Sequence, residues 1–443
     1  MQDSPETGLP ARRAAARAYA ETLQRGRPLD QTLASQPDFK RLDPRDRAFA
    51  RLIAATALRR KGQIGAALSE FLERPLPDNA IHAMALLETA AAQMIFLETP
   101  PHAAVGATVT LMGERKETER YKSLANAVLR KVGQNADSLS HLAPVETNLP
   151  VWLMVGWTDA YGEEAMPGLA ASWMGEPPLD LTLKDPAEAA QRATALDAEC
   201  LPTGSLRLAR APRDLTRLEG FADGAWWVQD AAAAIPARLL GDLTGKRALD
   251  LCAAPGGKTM QLAAAGSEVT ALDRSESRLK RVEENLARTG LSAATVKADA
   301  AKWTPPDGAL FDAVLLDAPC TATGTLRRSP DVAWSKSPED VAALARTQTA
   351  MIRHAAELVA PGGSLVYCTC SLQPDEGEAI IRAFLAEHPE FQTAAADAAA
   401  LGLPDEAVTL DGWVRTRPDF WAERGGMDGF FAARMNKSRS AGV

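Results

Sequence analysis

The sequence predicts a doubly wound, Rossmann-like α/β sheet in its second half, preceded by an all-α domain and a small α+β module. Three observations carry this. From Lys246 onward, short Val/Leu-rich runs alternate with longer amphipathic stretches. A glycine pair, Gly256-Gly257, stands between the first such run and the helix after it. Over residues 11–133 apolar residues recur at helical spacing with no strand-like alternation.

The helical part comes first. Leu52, Ile53, Ala55, Thr56 and Leu58 trace one helix. Asp43-Pro44 is a helix start with proline in its first turn. Asp78-Asn79 and Pro100-Pro101 punctuate the chain again, so about five helices are expected. Residues 134–150 are polar and read as a linker. In the middle region, 151–161 reads as a helix, and 179–184 and 205–210 alternate as strands. In the last region the expected strands are 247–251, 268–273, 295–299, 312–317 and 364–369. Helices are expected near 258–265, 275–289, 338–358 and 375–387. The domains are therefore 1–140, 145–235 and 236–437.

With 443 residues, the chain is too long for one core. No apolar run reaches the roughly 18 residues needed to span a membrane. The first ten residues lack a basic start followed by an apolar stretch, so a cytoplasmic protein is expected, and it is expected to be a monomer. Five scattered cysteines and no C-x-x-C pair argue against structural disulfides and against a metal centre. The net charge is −8, unevenly spread. Residues 1–140 carry 20 Lys+Arg against 16 Asp+Glu, a net of +4, which leaves 29 against 41, a net of −12, for the rest. A basic module on an acidic body suits RNA contact, although ordinary surface variation explains the same numbers.

The segment DLCAAPGGKT (250–259) joins the first strand to the first helix, at the sheet edge where such folds bind ligands. A phosphate-cradling loop would need glycine where Cys252 stands, and G-x-G-x-x-G is absent. What remains is a nucleoside ligand without phosphates, which needs a glycine turn and an acid for the ribose. Asp273 ends the second strand and can accept from ribose hydroxyls, and Asp299 ends the third, placed for an adenine amino group. An acidic edge also suits the positive sulfonium of S-adenosylmethionine. Any one strand-end Asp is more simply a helix cap, but three in register beside the glycine turn are harder to dismiss.

Two more strand ends carry thiols: DAPC (317–320) and TCS (369–371) bring Asp317, Cys320 and Cys370 to the same edge. Carbon 5 of cytosine is a weak nucleophile, and a thiolate adding at C6 makes it electron-rich. A base must then remove the C5 proton while the thiol leaves. The competing reading makes both cysteines small buried hydrophobes, the usual fate of a free Cys and the one expected for Cys200, Cys252 and Cys368.

DLCAAPGGKT, LLDAPCTATGTLRRSPDVAW, CTCSLQPDE and DGFFAAR together resemble the RNA cytosine-C5 methyltransferase family, most closely its bacterial members that modify 16S ribosomal RNA. The helical stretch with YKSLANAVLRKV (121–132) is similar to the NusB-type RNA-binding domain that opens those proteins. The resemblance implies S-adenosylmethionine held by Cys252, Ala253, Ala254, Pro255, Gly256, Gly257 and Lys258, with Asp273, Asp299 and Asp317. It implies Cys370 as nucleophile and Cys320 as the thiol that assists product release. The family's DNA enzymes use the Pro-Cys thiol instead, whereas TCS favours RNA chemistry. Cys368 departs from the family pattern, where a small residue such as Ala is usual, and Arg327 and Arg328 are expected to meet phosphates. Transfer RNA is the alternative substrate, and a catalytically idle RNA-binding assembly factor would be expected to lose the loop or a cysteine.

Overall fold

In a computed structural model of the protein, which describes residues 8–212 and 214–439, the chain divides into two units. Unit 1 runs to Gly175 and regains Leu326–Ser337; unit 2 holds Glu176–Thr325 and the chain from Pro338.

Unit 1 is built from helices, and five of them have 12 residues or more: Leu9–Arg25, Pro44–Arg59, Ile81–Phe96, Pro101–Met112 and Lys122–Gln134. The Asp43 side chain accepts from the amide of Asp46 at 2.8 Å and starts the second of these as its sequence position predicts. Alanines dominate the core, where Ala11, Ala15 and Ala18 meet Ile53, Leu58, Leu87 and Ala90. Small side chains let helix backbones approach closely, and burial of the few large ones supplies the driving force. The stretch 134–150, expected as a linker, carries two short helices and is anchored at Leu139, Asn148 and Leu149, while much of it stays exposed. Buried Asn148 accepts from the Gln63 amide at 3.0 Å and donates to Gln63 Oε1 at 3.0 Å, so its polarity is satisfied internally rather than by water. The stretch 145–235, read as one module, is shared: helices Val151–Tyr161 and Met166–Ser172 go with unit 1, the rest with unit 2.

Unit 2 contains a small sheet of β1 (Leu179–Leu183), β2 (Glu199–Cys200), β3 (Leu206–Leu208) and β4 (Trp226–Val228), in the order β2-β3-β1-β4. Its main sheet has eight strands. The parallel part is β5 (Arg247–Leu251), β6 (Glu268–Asp273), β7 (Ala294–Lys297), β8 (Phe311–Asp317) and β9 (Val359–Thr369). Three further strands, β10 (Phe391–Thr393), β11 (Val414–Thr416) and β12 (Phe430–Lys437), are antiparallel. The order is β10-β12-β9-β8-β5-β6-β7, with β11 on β12. The chain winds outward from β5 to β7, then crosses to β8 on the other side of β5, which puts the topological switch between β5 and β8.

Alternation along the strands sorts the two faces. Leu249, Leu251, Val314, Leu316, Leu365 and Tyr367 pack against helices Pro338–Glu357 and Glu378–Glu387. Ala248, Ala313, Leu315, Val366 and Cys368 face the helix Ala231–Arg238 and Leu262. With both faces covered, the central strands are mostly hydrophobic, as a parallel sheet requires. No described helix is long and apolar enough to cross a membrane.

Candidate functional site

The loop after β5 takes its shape from the residues beneath it. Gly256 has φ +104°, and a Cβ there would come within 3.2 Å of Val282 Cγ1; one on Gly257 would meet Gln229 at 3.3 Å. The glycines are therefore demanded by packing under the loop, not only by an approaching ligand. Cys252 also adopts a positive φ of 64°, and its amide neighbour Ala253 donates to Leu272 O at 2.9 Å, tying the loop to β6. Burial, with the carboxylates of Asp317 and Asp273, pushes the Cys252 thiol up to about 12, so it stays protonated and unreactive.

Asp273 closes β6 at 2% exposure, accepting from the Ser275 amide at 2.9 Å and the Ala254 amide at 3.3 Å, with Arg278 Nη1 3.5 Å away. Each carboxylate oxygen retains a second acceptor site. Asp299, two residues past β7, is exposed and caps its own turn through the amide of Ala301 at 3.0 Å. Asp317 closes β8 and accepts from Lys258 Nζ at 2.8 Å. Burial opposes the Lys258 charge, but the Asp317 carboxylate outweighs it and the pKa rises. The ammonium also lies 5.0 Å from the centre of the Phe430 ring. This edge thus offers carboxylates and small side chains, and its inner cation is already paired. That donor set fits a phosphate-free, positively charged nucleoside and fits a nucleotide poorly.

The thiols lie on neighbouring strand ends. Cys320 Sγ and Cys370 Sγ are 3.5 Å apart. The contact with Cys370, then burial, hold the Cys320 pKa well above that of a free thiol, so Cys320 keeps its proton, and either sulfur can be the donor in their contact. Cys368 is fully buried, its Sγ 3.7 Å from Asp317 Oδ1, in line with the packing role expected of it. Asp317 therefore touches the loop lysine on one oxygen and the thiol side of the sheet on the other.

Several residues differ from expectation. Cys200 is exposed on the short edge strand β2 rather than buried. Arg327 is 1% exposed in unit 1, with its carbonyl accepting from Arg59 Nη2 at 2.7 Å, so it meets protein and not phosphate; Arg328 is exposed. Sequence reasoning passed over Asp250, which heads the glycine-loop motif. Its Oδ2 accepts from Thr259 Oγ1 at 2.6 Å, and complete burial, eased by that bond, pushes its carboxyl up to about 7. It also passed over Glu376, whose only sequence signal is its place in CTCSLQPDE. Among the described residues there is no cluster of three or more His, Cys, Asp or Glu able to hold a metal ion.

Comparison with known proteins adds two family matches: residues 237–436 match the model described as 16S rRNA methyltransferase RsmB/F, and residues 9–134 match that of the NusB family. The chain is 34% identical to the ribosomal RNA small subunit methyltransferase B of Vibrio cholerae over 96% of this chain and 97% of that one. It is 35% identical to the protein of the same name from Pseudomonas putida, over 96% and 98%. The crystal structure of PH0851 superposes with a TM-score of 0.74 at 23% identity, covering 99% of this chain and all of that one. That of NSun6 from Pyrococcus horikoshii with SFG gives 0.54 at 20% identity, over 66% and 99%.

Proposed function

Because the chain belongs to the 16S rRNA methyltransferase RsmB/F family, we propose that it transfers a methyl group from S-adenosylmethionine to C5 of a cytosine in 16S ribosomal RNA, through a covalent bond between Cys370 and C6 of that base. The observation that carries this reading is the pair of thiols, 3.5 Å apart, at the ends of adjacent parallel strands beside the glycine loop.

S-adenosylmethionine supplies an electrophilic methyl group on a sulfonium. Residues 252–258 form the loop that would hold it, Asp273 accepts from the ribose hydroxyls, and Asp299 lies toward the adenine. Cys370 gives up its thiol proton to solvent and adds to C6 as the thiolate, whose negative charge the S–H of Cys320 steadies before attack. After transfer, the C5 proton passes to a base and its bonding pair closes the C5–C6 double bond, while the C6–S bond breaks and returns both of its electrons to Cys370. Cys320, 3.5 Å from the Cys370 sulfur, is placed to assist that release, and Asp317, held by Lys258, is the carboxylate at the same edge that would take the C5 proton. The NusB-like helical domain, net +4, contributes RNA affinity. The protein acts as a cytoplasmic monomer on structured RNA.

Bisulfite sequencing of ribosomal and transfer RNA, from cells with and without the gene, tests the reading. One 16S cytosine should lose its protection when the gene is absent. Loss at a transfer RNA position instead would move the same chemistry to another substrate, and no change in either RNA refutes the activity.

A further inference from the structure

Glu376 lies in the turn after β9, fully buried, and has no part in the chemistry described above. Four donors converge on its two carboxylate oxygens. Oε1 accepts from the Thr321 amide at 2.9 Å and from Gln348 Nε2 at 3.0 Å. Oε2 accepts from Ser371 Oγ at 2.5 Å and from Thr321 Oγ1. Thr321 follows Cys320 and Ser371 follows Cys370, so this one side chain grips the residue next to each thiol. Gln348 also donates to Pro319 O at 2.9 Å, so the other neighbour of Cys320 is held as well. The Glu376 carbonyl is fixed in turn by Tyr367 Oη at 2.9 Å and Thr369 Oγ1 at 3.2 Å, both on β9.

We propose that Glu376 is a positioning residue that sets the separation of the two thiols by bridging the loops after β8 and β9. The two loops leave different strands, and no backbone connection shorter than 50 residues joins Cys320 to Cys370, so their contact has to be fixed laterally. Only an acceptor with two oxygens and no donor satisfies four converging donors at once, which explains a carboxylate at a site without solvent. Burying a carboxylate is costly unless it is fully hydrogen-bonded, so the side chain is held in one place as firmly as it holds the loops. A thiol moved by a fraction of an ångström is displaced from C6 or from its partner sulfur, and displacements near 1 Å can cost on the order of 100-fold in rate.

The inference rests on the reading of Cys370 and Cys320 as the working pair, and its test separates the two. Glu376→Gln and Thr321→Val are made in the full-length protein, with Cys370→Ala as reference. Three quantities are measured: the single-turnover methylation rate at saturating RNA and cofactor, cofactor affinity by calorimetry, and the rate at which diamide joins Cys320 to Cys370, followed by peptide mass. Glu376→Gln is expected to lower the methylation rate about 10- to 100-fold and Thr321→Val about several-fold. Both should slow disulfide formation between the thiols and leave cofactor affinity within about twofold, because the glycine loop is untouched. A merely structural glutamate would lower the melting temperature without changing the thiol-pairing rate of the folded fraction. Folded variants that methylate and pair their thiols at the wild-type rates overturn the proposal, as does a loss of methylation with unchanged pairing. If Glu376→Gln does not fold, Thr321→Val decides by the same two rates. Full methylation by Cys370→Ala would instead refute the assignment of the nucleophile, while the pairing rate would still report on Glu376.

Discussion

Replacing Asp273 with alanine separates what this carboxylate does for the cofactor from what it does for the loop. Asp273 accepts from the Ala254 and Ser275 amides, and its second lone pairs are those assigned to the ribose hydroxyls. Losing hydrogen bonds to a charged acceptor should weaken cofactor binding by about 1.5–3 kcal/mol. That corresponds to roughly a 10- to 150-fold rise in Kd. The Ala254 and Ser275 amides would also lose their partner, lowering stability by about 1–3 kcal/mol. The nearby Arg278 is half-exposed, so its lost ion pair adds little. Asp273→Asn keeps one acceptor oxygen for Ser275 and should recover most of the stability but only part of the affinity. Calorimetric titration with S-adenosylmethionine, run beside thermal melts of the three proteins, measures both effects. An alanine variant that melts lower yet binds the cofactor within about twofold of wild type would show that Asp273 serves the loop alone.

Three other outcomes follow from the same geometry. With labelled methyl donor and RNA on a denaturing gel, Cys370→Ala should form no adduct, Cys320→Ala should accumulate a slow-migrating protein–RNA band, and buried Cys368→Ala should methylate; a band from Cys370→Ala instead would reverse the two roles. Asp250 holds its proton up to about pH 7 in the folded protein, whereas the unfolded chain releases it near 3.9. Its contribution is therefore complete below about pH 4 and is lost between about pH 4 and 7, on the order of 4 kcal/mol in all. Asp250→Asn should flatten the fall in melting temperature between about pH 4 and 7, and an unaltered slope would refute the buried titration. Deleting residues 1–143 should uncover Trp334, which packs on the helical core and donates to Leu58 O at 2.9 Å; raised binding of a hydrophobic dye measures this, and no rise would mean the segment refolds elsewhere.

The sequence by itself determined the parallel strands β5 to β9, because each is a short apolar run bounded by turn residues and flanked by an amphipathic helix. It also determined that the glycine loop, Asp273, Asp299, Asp317, Cys320 and Cys370 stand at the carboxyl ends of those strands, since chain order alone places a strand's last residue there. It did not disclose β12. FFAARMNK is buried along most of its length without alternation and carries Arg434, whose guanidinium reaches Leu239 O at 2.8 Å, so no period of two was available to read. Nor did it show that 134–150 is anchored at Asn148, which reads as a loop residue until Gln63, 85 positions away, is found facing it. The tertiary structure alone decided which acids are paired and which thiols touch. Lys258 meets Asp317 across 59 positions, Cys320 meets Cys370 across 50, and Glu376 meets Thr321 across 55. Periodicity and capping report on neighbours within a turn or a strand, whereas these contacts depend on which strands lie side by side and in what register.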